Sequence, residues 1–336
     1  VPREEERTAR PVEDPPQHNE ATEELIDLMD GLRGYEHWEV ARLLDAGADP
    51  NVRFDYFELI GIETFNLQDV TPLMVLAYFH AHQSMRLLLE AGADPNARAG
   101  SGATALLRAF SDPPAPDADD TDFLAAIELL LEYGADPNLA RYLEGGEFTD
   151  GMSPMHGAAI AGNIEALQML INADAEINAQ SSTIGYAPNA MGNYPIHEAA
   201  INGHAYIVEL LIVNGAEVDV YQAGDSHRVW TPRGGHPLHG ARTEETVRVL
   251  LAHGADPNAI RRDGSSVSAL YTMAYEGALG SARLLVEAGA EVNHVSIYGT
   301  PLDAAIDQGH IEIAEYLRSI GALTAEELGV EVQEEW

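Results

Sequence analysis

Met85-Arg86-Leu87-Leu88-Leu89-Glu90-Ala91-Gly92-Ala93-Asp94-Pro95-Asn96 is the stretch whose reading settles the architecture. The leucines read as the end of a helix. Gly92 supplies a left-handed stop, and Pro95 with Asn96 sets a turn. The closing phrase recurs at Gly47–Asn51, Gly134–Asn138 and Gly254–Asn258. Weaker copies stand at Asp174–Asn178, Gly215–Asp219 and Gly289–Asn293, with a last fragment at Gly321-Ala322. Between successive copies lies a second phrase: Thr71-Pro72-Leu73-Met74, Ser153-Pro154-Met155-His156, Tyr194-Pro195-Ile196-His197, His236-Pro237-Leu238-His239 and Thr300-Pro301-Leu302-Asp303. Thr104–Leu107 and Ser268–Tyr271 are degenerate versions of it. Self-similarity at a spacing of roughly 30–50 residues marks a repeat architecture.

Working outward, each unit reads as a helix pair, near 72–90, 104–132, 154–173, 195–213, 237–253, 269–288 and 301–319. Proline falls in the first turn, where a missing N–H costs nothing. An opening unit near Ala21 has two apolar stripes, Leu25, Ile26, Leu28, Met29 and then Trp38, Val40, Leu43, Leu44. It lacks the proline phrase and carries Glu23, Glu24 and Asp27, which suits an N-terminal cap. Ser111–Asp122 is an insertion inside a helix pair, and Pro113, Pro114 and Pro116 exclude helix there.

The alternating phrases resemble the ankyrin repeat over roughly residues 21–325. The resemblance implies an all-α helical repeat solenoid of about eight units including caps, with β-hairpin-like fingers between units. It implies a surface that binds other proteins and names no partner. It also implies a structural role for His156, His197 and His239, at the fourth place of the phrase, whose rings would bond backbone and tie neighbouring loops. Residues 1–20 read as a disordered leader or tether, rich in charge and proline. Residues 326–336 read as an acidic tail.

The charge is extreme: 55 acidic residues against 18 basic ones give a formal net charge of −37. All 18 bases are arginine; lysine is absent. A GC-rich genome, adaptation to high salt in a bacterial or archaeal cell, and avoidance of lysine modification each account for that, and they stay open. Such a surface repels nucleic acid and anionic membrane and favours a basic partner. No apolar run is long enough to span a bilayer. Absence of cysteine excludes disulfides, thiolate nucleophiles and zinc–thiolate sites. The start at Val1 is read as removal of something upstream, a signal peptide or a choice of boundary. The compartment stays open, with an exported or periplasmic setting preferred to the cytoplasm.

The fingers depart from the family pattern. Asn96–Thr104 has the usual length, whereas Asn51–Thr71, Asn138–Ser153, Asn178–Tyr194 and Asp219–His236 are extended. The extended fingers carry aromatics and arginines, the residue types that dominate interfaces. The candidate contacts are Phe54, Tyr56, Phe57 and Phe65; Arg141, Tyr142 and Phe148; Tyr186; and Tyr221, Arg228, Trp230 and Arg233. The opposing reading folds these rings back onto their own loops. His236 and His239 have a spacing that suits a metal, yet the repeat phrase already accounts for both. Asp117–Asp122 has alternate carboxylates but Asp122 where a calcium loop needs glycine, so it reads as a solvated acidic loop. No nucleophile elbow, phosphate loop or zinc-protease helix is present. The expectation is a non-enzymatic, cofactor-free monomer that holds a partner as scaffold or adaptor. Two alternatives are an inhibitor or immunity protein occluding a basic enzyme or toxin, and a salt-adapted structural protein.

Overall fold

The computed structural model describes residues 18–30, 36–60, 63–111, 113–114, 119–140, 151–181, 192–222 and 235–332. The opening unit pairs α1 (Glu20–Asp30) with α2 (His37–Asp45). The first finger follows as an antiparallel hairpin, β1 (Phe54–Ile60) and β2 (Glu63–Val70). Then come α3 (Pro72–Tyr78) with α4 (His82–Glu90), α5 (Ala105–Ala109) with α6 (Thr121–Glu132), and α7 (Pro154–Ala161) with α8 (Ile164–Asn172). The series continues with α9 (Pro195–Ile201) and α10 (Ala205–Val213), then α11 (Pro237–Gly240) and α12 (Glu244–Ala252). It ends with α13 (Ala269–Glu276) and α14 (Leu279–Glu287), α15 (Pro301–Asp307) and α16 (Ile311–Ser319), and a short α17 (Ala325–Leu328).

The first helices of successive units pack side by side as one layer, and the second helices as another. This is the helical solenoid that the repeated phrases predict. The two layers differ in burial. Every residue of α3 from Pro72 to Ala77 is buried, whereas α4 buries only Ser84, Met85, Leu88 and Leu89. First helices are flanked on both sides by other first helices and roofed by the second layer, so almost any position must be apolar or small. Second helices face water on their outer side and show a stripe at helical spacing.

Local chemistry sets the boundaries. Pro72, Pro154, Pro195, Pro237 and Pro301 stand at the first turn of their helices. Gly92 closes α4 at φ +92°, a left-handed conformation that side chains resist. Asp174 holds the same place after α8 at φ 60° without being glycine. Asn19 caps α1 by accepting from Thr22 N (2.8 Å). At the other end, α17 straddles the boundary expected at 325, and its cap Thr324 accepts from Glu327 N (3.2 Å). Residues 1–17 of the expected leader and 333–336 of the expected tail lie outside the described residues.

Candidate protein-binding face

The fingers are held by one asparagine per unit, except where Asp219 takes its place. Asn51 Nδ2 donates to Gly92 O (2.9 Å) while its Oδ1 accepts from Asp94 N (2.7 Å). Asn96 does the same to Gly134 O and Asp136 N, at 2.9 and 2.7 Å. Asn138, Asn178, Asn258 and Asn293 continue the ladder to the end of the stack. The amide donates through Nδ2 and accepts through Oδ1, so it bonds in both directions across each of these junctions. The preceding aspartate explains the rest of the phrase: Asp94 Oδ1 accepts from Asn96 N (2.9 Å), fixing the turn that aims the amide.

The histidines at the fourth place link the helix caps to the next finger. His156 Nε2 lies 3.0 Å from Asn193 O, His197 Nε2 3.2 Å from Gly235 O, and His239 Nε2 2.9 Å from Val267 O. A carbonyl can only accept, so Nε2 carries the proton in each. Nδ1 is then free to accept from the unit's own cap, as from Ser153 N, Tyr194 N and His236 N. All three rings are buried. Burial draws His197 and His239 down to about 3, because a charged ring there would lose its hydration. The residue before each cap also closes its own finger, as Ser181 N to Asn193 O (2.8 Å) and Gln222 N to Gly235 O (3.0 Å) show. A single carbonyl thus serves the finger and the preceding unit.

Arginines add a third tie. Arg53 Nη1 reaches Asp69 Oδ2 (2.7 Å) within its finger and Arg98 O (2.8 Å) on the next. Arg98 Nη1 in turn reaches Ala140 O (2.8 Å). The result is a row of finger roots tied in register along one edge, each leading into a first helix.

The candidate contact residues fall into three groups. Tyr56 is 3% exposed, so its ring packs into the core at the hairpin base. Phe54 is half-buried against the same core. Tyr221 is half-buried, with the Arg262 guanidinium 3.6 Å from its ring centroid and His236 at 5.5 Å. For these three the fold-back reading describes the geometry. Phe57 and Phe65 occupy the strands, opposite Asn66 and Glu58. Arg141, Tyr142, Phe148, Tyr186, Arg228, Trp230 and Arg233 lie outside the described residues.

The exposed rings and aliphatics that sequence reasoning missed sit elsewhere. Phe79, Tyr275 and Ile306, each more than 40% exposed, stand at the C-terminal ends of first helices, away from the fingers. Tyr206, 75% exposed, begins a second helix at the same edge. Arg108 stacks over Tyr78 there at 4.6 Å. The signal was available: these positions fall one helical turn beyond the buried Leu and Ala of the repeat phrase. Asp219 and His236 were also undervalued as a pair. His236 Nε2 lies 2.8 Å from Asp219 Oδ1, with the His236 side chain wholly buried. Among the described residues no group of three metal-binding side chains comes together, and no helix is long and apolar enough to cross a membrane.

Comparison with known proteins agrees with this architecture. A family model described as ankyrin repeats in three copies matches residues 118–222 and 238–325, and a single ankyrin-repeat model matches 68–99. Cyclin-dependent kinase 4 inhibitor B of Rattus norvegicus is 35% identical over 77 residues. That match covers 22% of this chain and 58% of the relative, so less than two thirds of the relative is spanned.

Proposed function

The chain belongs to the ankyrin-repeat family, whose repeats are protein-interaction modules, and from that premise we propose that it holds a partner protein on the face formed by its first helices and fingers. The observation that carries this reading is the row of finger roots tied in register by asparagine, histidine and arginine. Roots fixed before binding leave less to be ordered when a partner docks. The far ends of the first helices present Phe79, Tyr275 and Ile306 as further apolar contact points. The formal charge of −37 gives the face a field that draws in a basic surface. The role proposed is that of a scaffold or adaptor, with no reaction of its own.

A second reading is supported by the matched rat protein, which is named as an inhibitor of a kinase. A module of this build can act by occluding its partner's working surface. The two readings differ in one readout: a scaffold leaves its partner's activity unchanged, and an inhibitor abolishes it.

The test compares the intact chain with a version whose 53–69 and 220–234 segments are shortened to the length of the 97–103 finger. Capture at low and high salt, followed by assay of the captured protein, separates the cases. A partner held by the intact chain, released by salt and lost on shortening supports the finger face. A partner held equally by both versions moves the site to the helices. If neither version holds any protein, the binding reading fails, and a salt-adapted structural role takes its place.

A further inference from the structure

The described arginines are almost all occupied. Arg42, Arg53, Arg86, Arg248 and Arg318 pair with carboxylates. Arg98 reaches carbonyls, and Arg108, Arg262 and Arg283 lie over tyrosine rings. Arg242 is exposed to water. Arg261 is the exception: it is half-buried, and its guanidinium makes no hydrogen bond or ion pair with any described residue.

The backbone fixes where that cation stands. Arg261 N donates to Val267 O (2.8 Å), and Ile260 pairs with Ser268, so the residue sits at the root of the finger that opens α13. Asp263, Glu276 on α13, Tyr298 on the next finger and Tyr271 on α13 act on it electrostatically. In this unit Tyr271 takes the fourth place of the repeat phrase, where a histidine would otherwise stand. Asp263 is turned to its own loop, accepting from Ser265 N (2.9 Å) and Ser265 Oγ (2.5 Å). Arg261 Nε is sealed from water and finds no acceptor, while the terminal nitrogens are not sealed. Burial outweighs the attraction of Asp263 and Glu276 and draws the guanidinium below the ordinary arginine pKa. An unpaired, partly desolvated cation lowers the stability of the free fold. Its natural complement is a planar oxyanion that accepts both terminal nitrogens side by side.

We propose that Arg261 is an anchor for an aspartate or glutamate carboxylate on the bound partner, taken by the two terminal nitrogens between the finger root and α13. The inference rests on the reading that this face binds protein, and it adds a rule of register: a basic partner segment must carry one acid at a fixed place. A carboxylate is favoured over a phosphoryl group because Asp263 and Glu276, which act on the same guanidinium, repel a dianion more than a monoanion.

The experiment selects random displayed peptides on the full chain, then measures the selected peptides by calorimetry on wild type and Arg261→Met. The expected result is an Asp or Glu at one fixed peptide position. Changing that acid to its amide should weaken binding to wild type about tenfold or more, while Arg261→Met should bind both forms alike. Arg261→Met should also melt no lower than wild type, since it removes an unpaired cation and keeps the side-chain volume. A fall of several degrees would make Arg261 a structural strut and overturn the proposal. Peptides with no fixed acid, or an acid preference that survives Arg261→Met, would overturn the anchor and leave the binding face standing. Recovery of no peptide by wild type would overturn the face itself and the anchor with it. Tighter binding when phosphoserine replaces the acid would overturn the carboxylate assignment in favour of a phosphoryl ligand.

Discussion

Thr71 and Thr300 occupy the same place in the repeat phrase and have opposite environments. Thr300 Oγ1 accepts from Asp303 N (3.3 Å) and donates to Leu323 O (2.9 Å), so it caps α15 and joins the final segment. Thr71 Oγ1 is buried with no partner. Three residues on, Met74 stands where His156 meets Ser153 Oγ in the third helix pair of the phrase, at 2.9 Å from Nδ1, and Thr71 Oγ1 also lacks the bond from the third helical N–H that Thr104 receives from Leu107 N (3.3 Å). A thioether on that side is at best a weak acceptor. Thr71→Val should therefore stabilise the protein by about 1 kcal/mol, because it removes an unsatisfied buried oxygen and keeps the shape. Thr300→Val should destabilise by about 1 kcal/mol or more, through the lost cap. Urea midpoints of the two variants decide it, and a shared sign would sink the argument. Residues of this kind show what sequence makes legible: the phrase places both threonines, but only packing reveals which one has partners.

At the scale of the finger, the segment from Asp219 to His236 breaks the ladder in a compensated way. Aspartate lacks the amide donor, so nothing from residue 219 reaches Gly254 O as the asparagines reach their glycines. Asp219 Oδ1 still accepts from Asp256 N (3.0 Å), and it accepts from His236 Nε2 as well. His236 Nδ1 accepts from Leu238 N (3.2 Å), doing the cap's work in place of threonine. Two departures from the phrase thus answer each other. Asp219→Asn should leave the buried His236 N–H with a weaker acceptor, and His236→Thr should leave the carboxylate short of a donor, each costing about 1–3 kcal/mol. The double variant restores the repeat phrase on both sides and should recover at least half of the summed loss. Simple additivity in the four-species cycle would refute the pairing. The helices and their ends were legible because proline at the first turn and glycine at the stop act locally. The fingers were only half legible. Their lengths could be counted, but the burial of Tyr56 and the unpartnered Nε of Arg261 depend on packing that the phrase does not encode. Asp174 at a positive φ shows the same limit, since the phrase there runs without its glycine.

For the whole molecule the governing contest is between an acidic surface and a set of buried histidines. A net charge of −37 favours protonation of every histidine, yet His197 and His239 lie at about 3. Desolvation therefore outweighs the long-range field at these rings, as it also does at His236, which is lowered despite Asp219 beside it. The sign follows from linkage. The unfolded chain binds these protons near the ordinary value of about 6.5, and the folded chain binds them only near 3. Stability is thus complete above about 6.5 and is lost as pH falls toward 3, by up to roughly 1.4 kcal/mol per pH unit for each such ring. Self-repulsion among the carboxylates works the other way, but it eases only as they protonate, around pH 4 and below. Between pH 7 and 5 the histidine effect stands alone. Urea midpoints should fall across that window, with a combined slope from His197 and His239 of roughly 2.7 kcal/mol per pH unit at its steepest. His239→Gln, although less stable at pH 7, should show a slope smaller by about one proton. A midpoint that stays flat or rises from pH 7 to 5 would mean that the surface field governs these rings after all. The links that hold the fingers in register would then be open to charging at ordinary acidity.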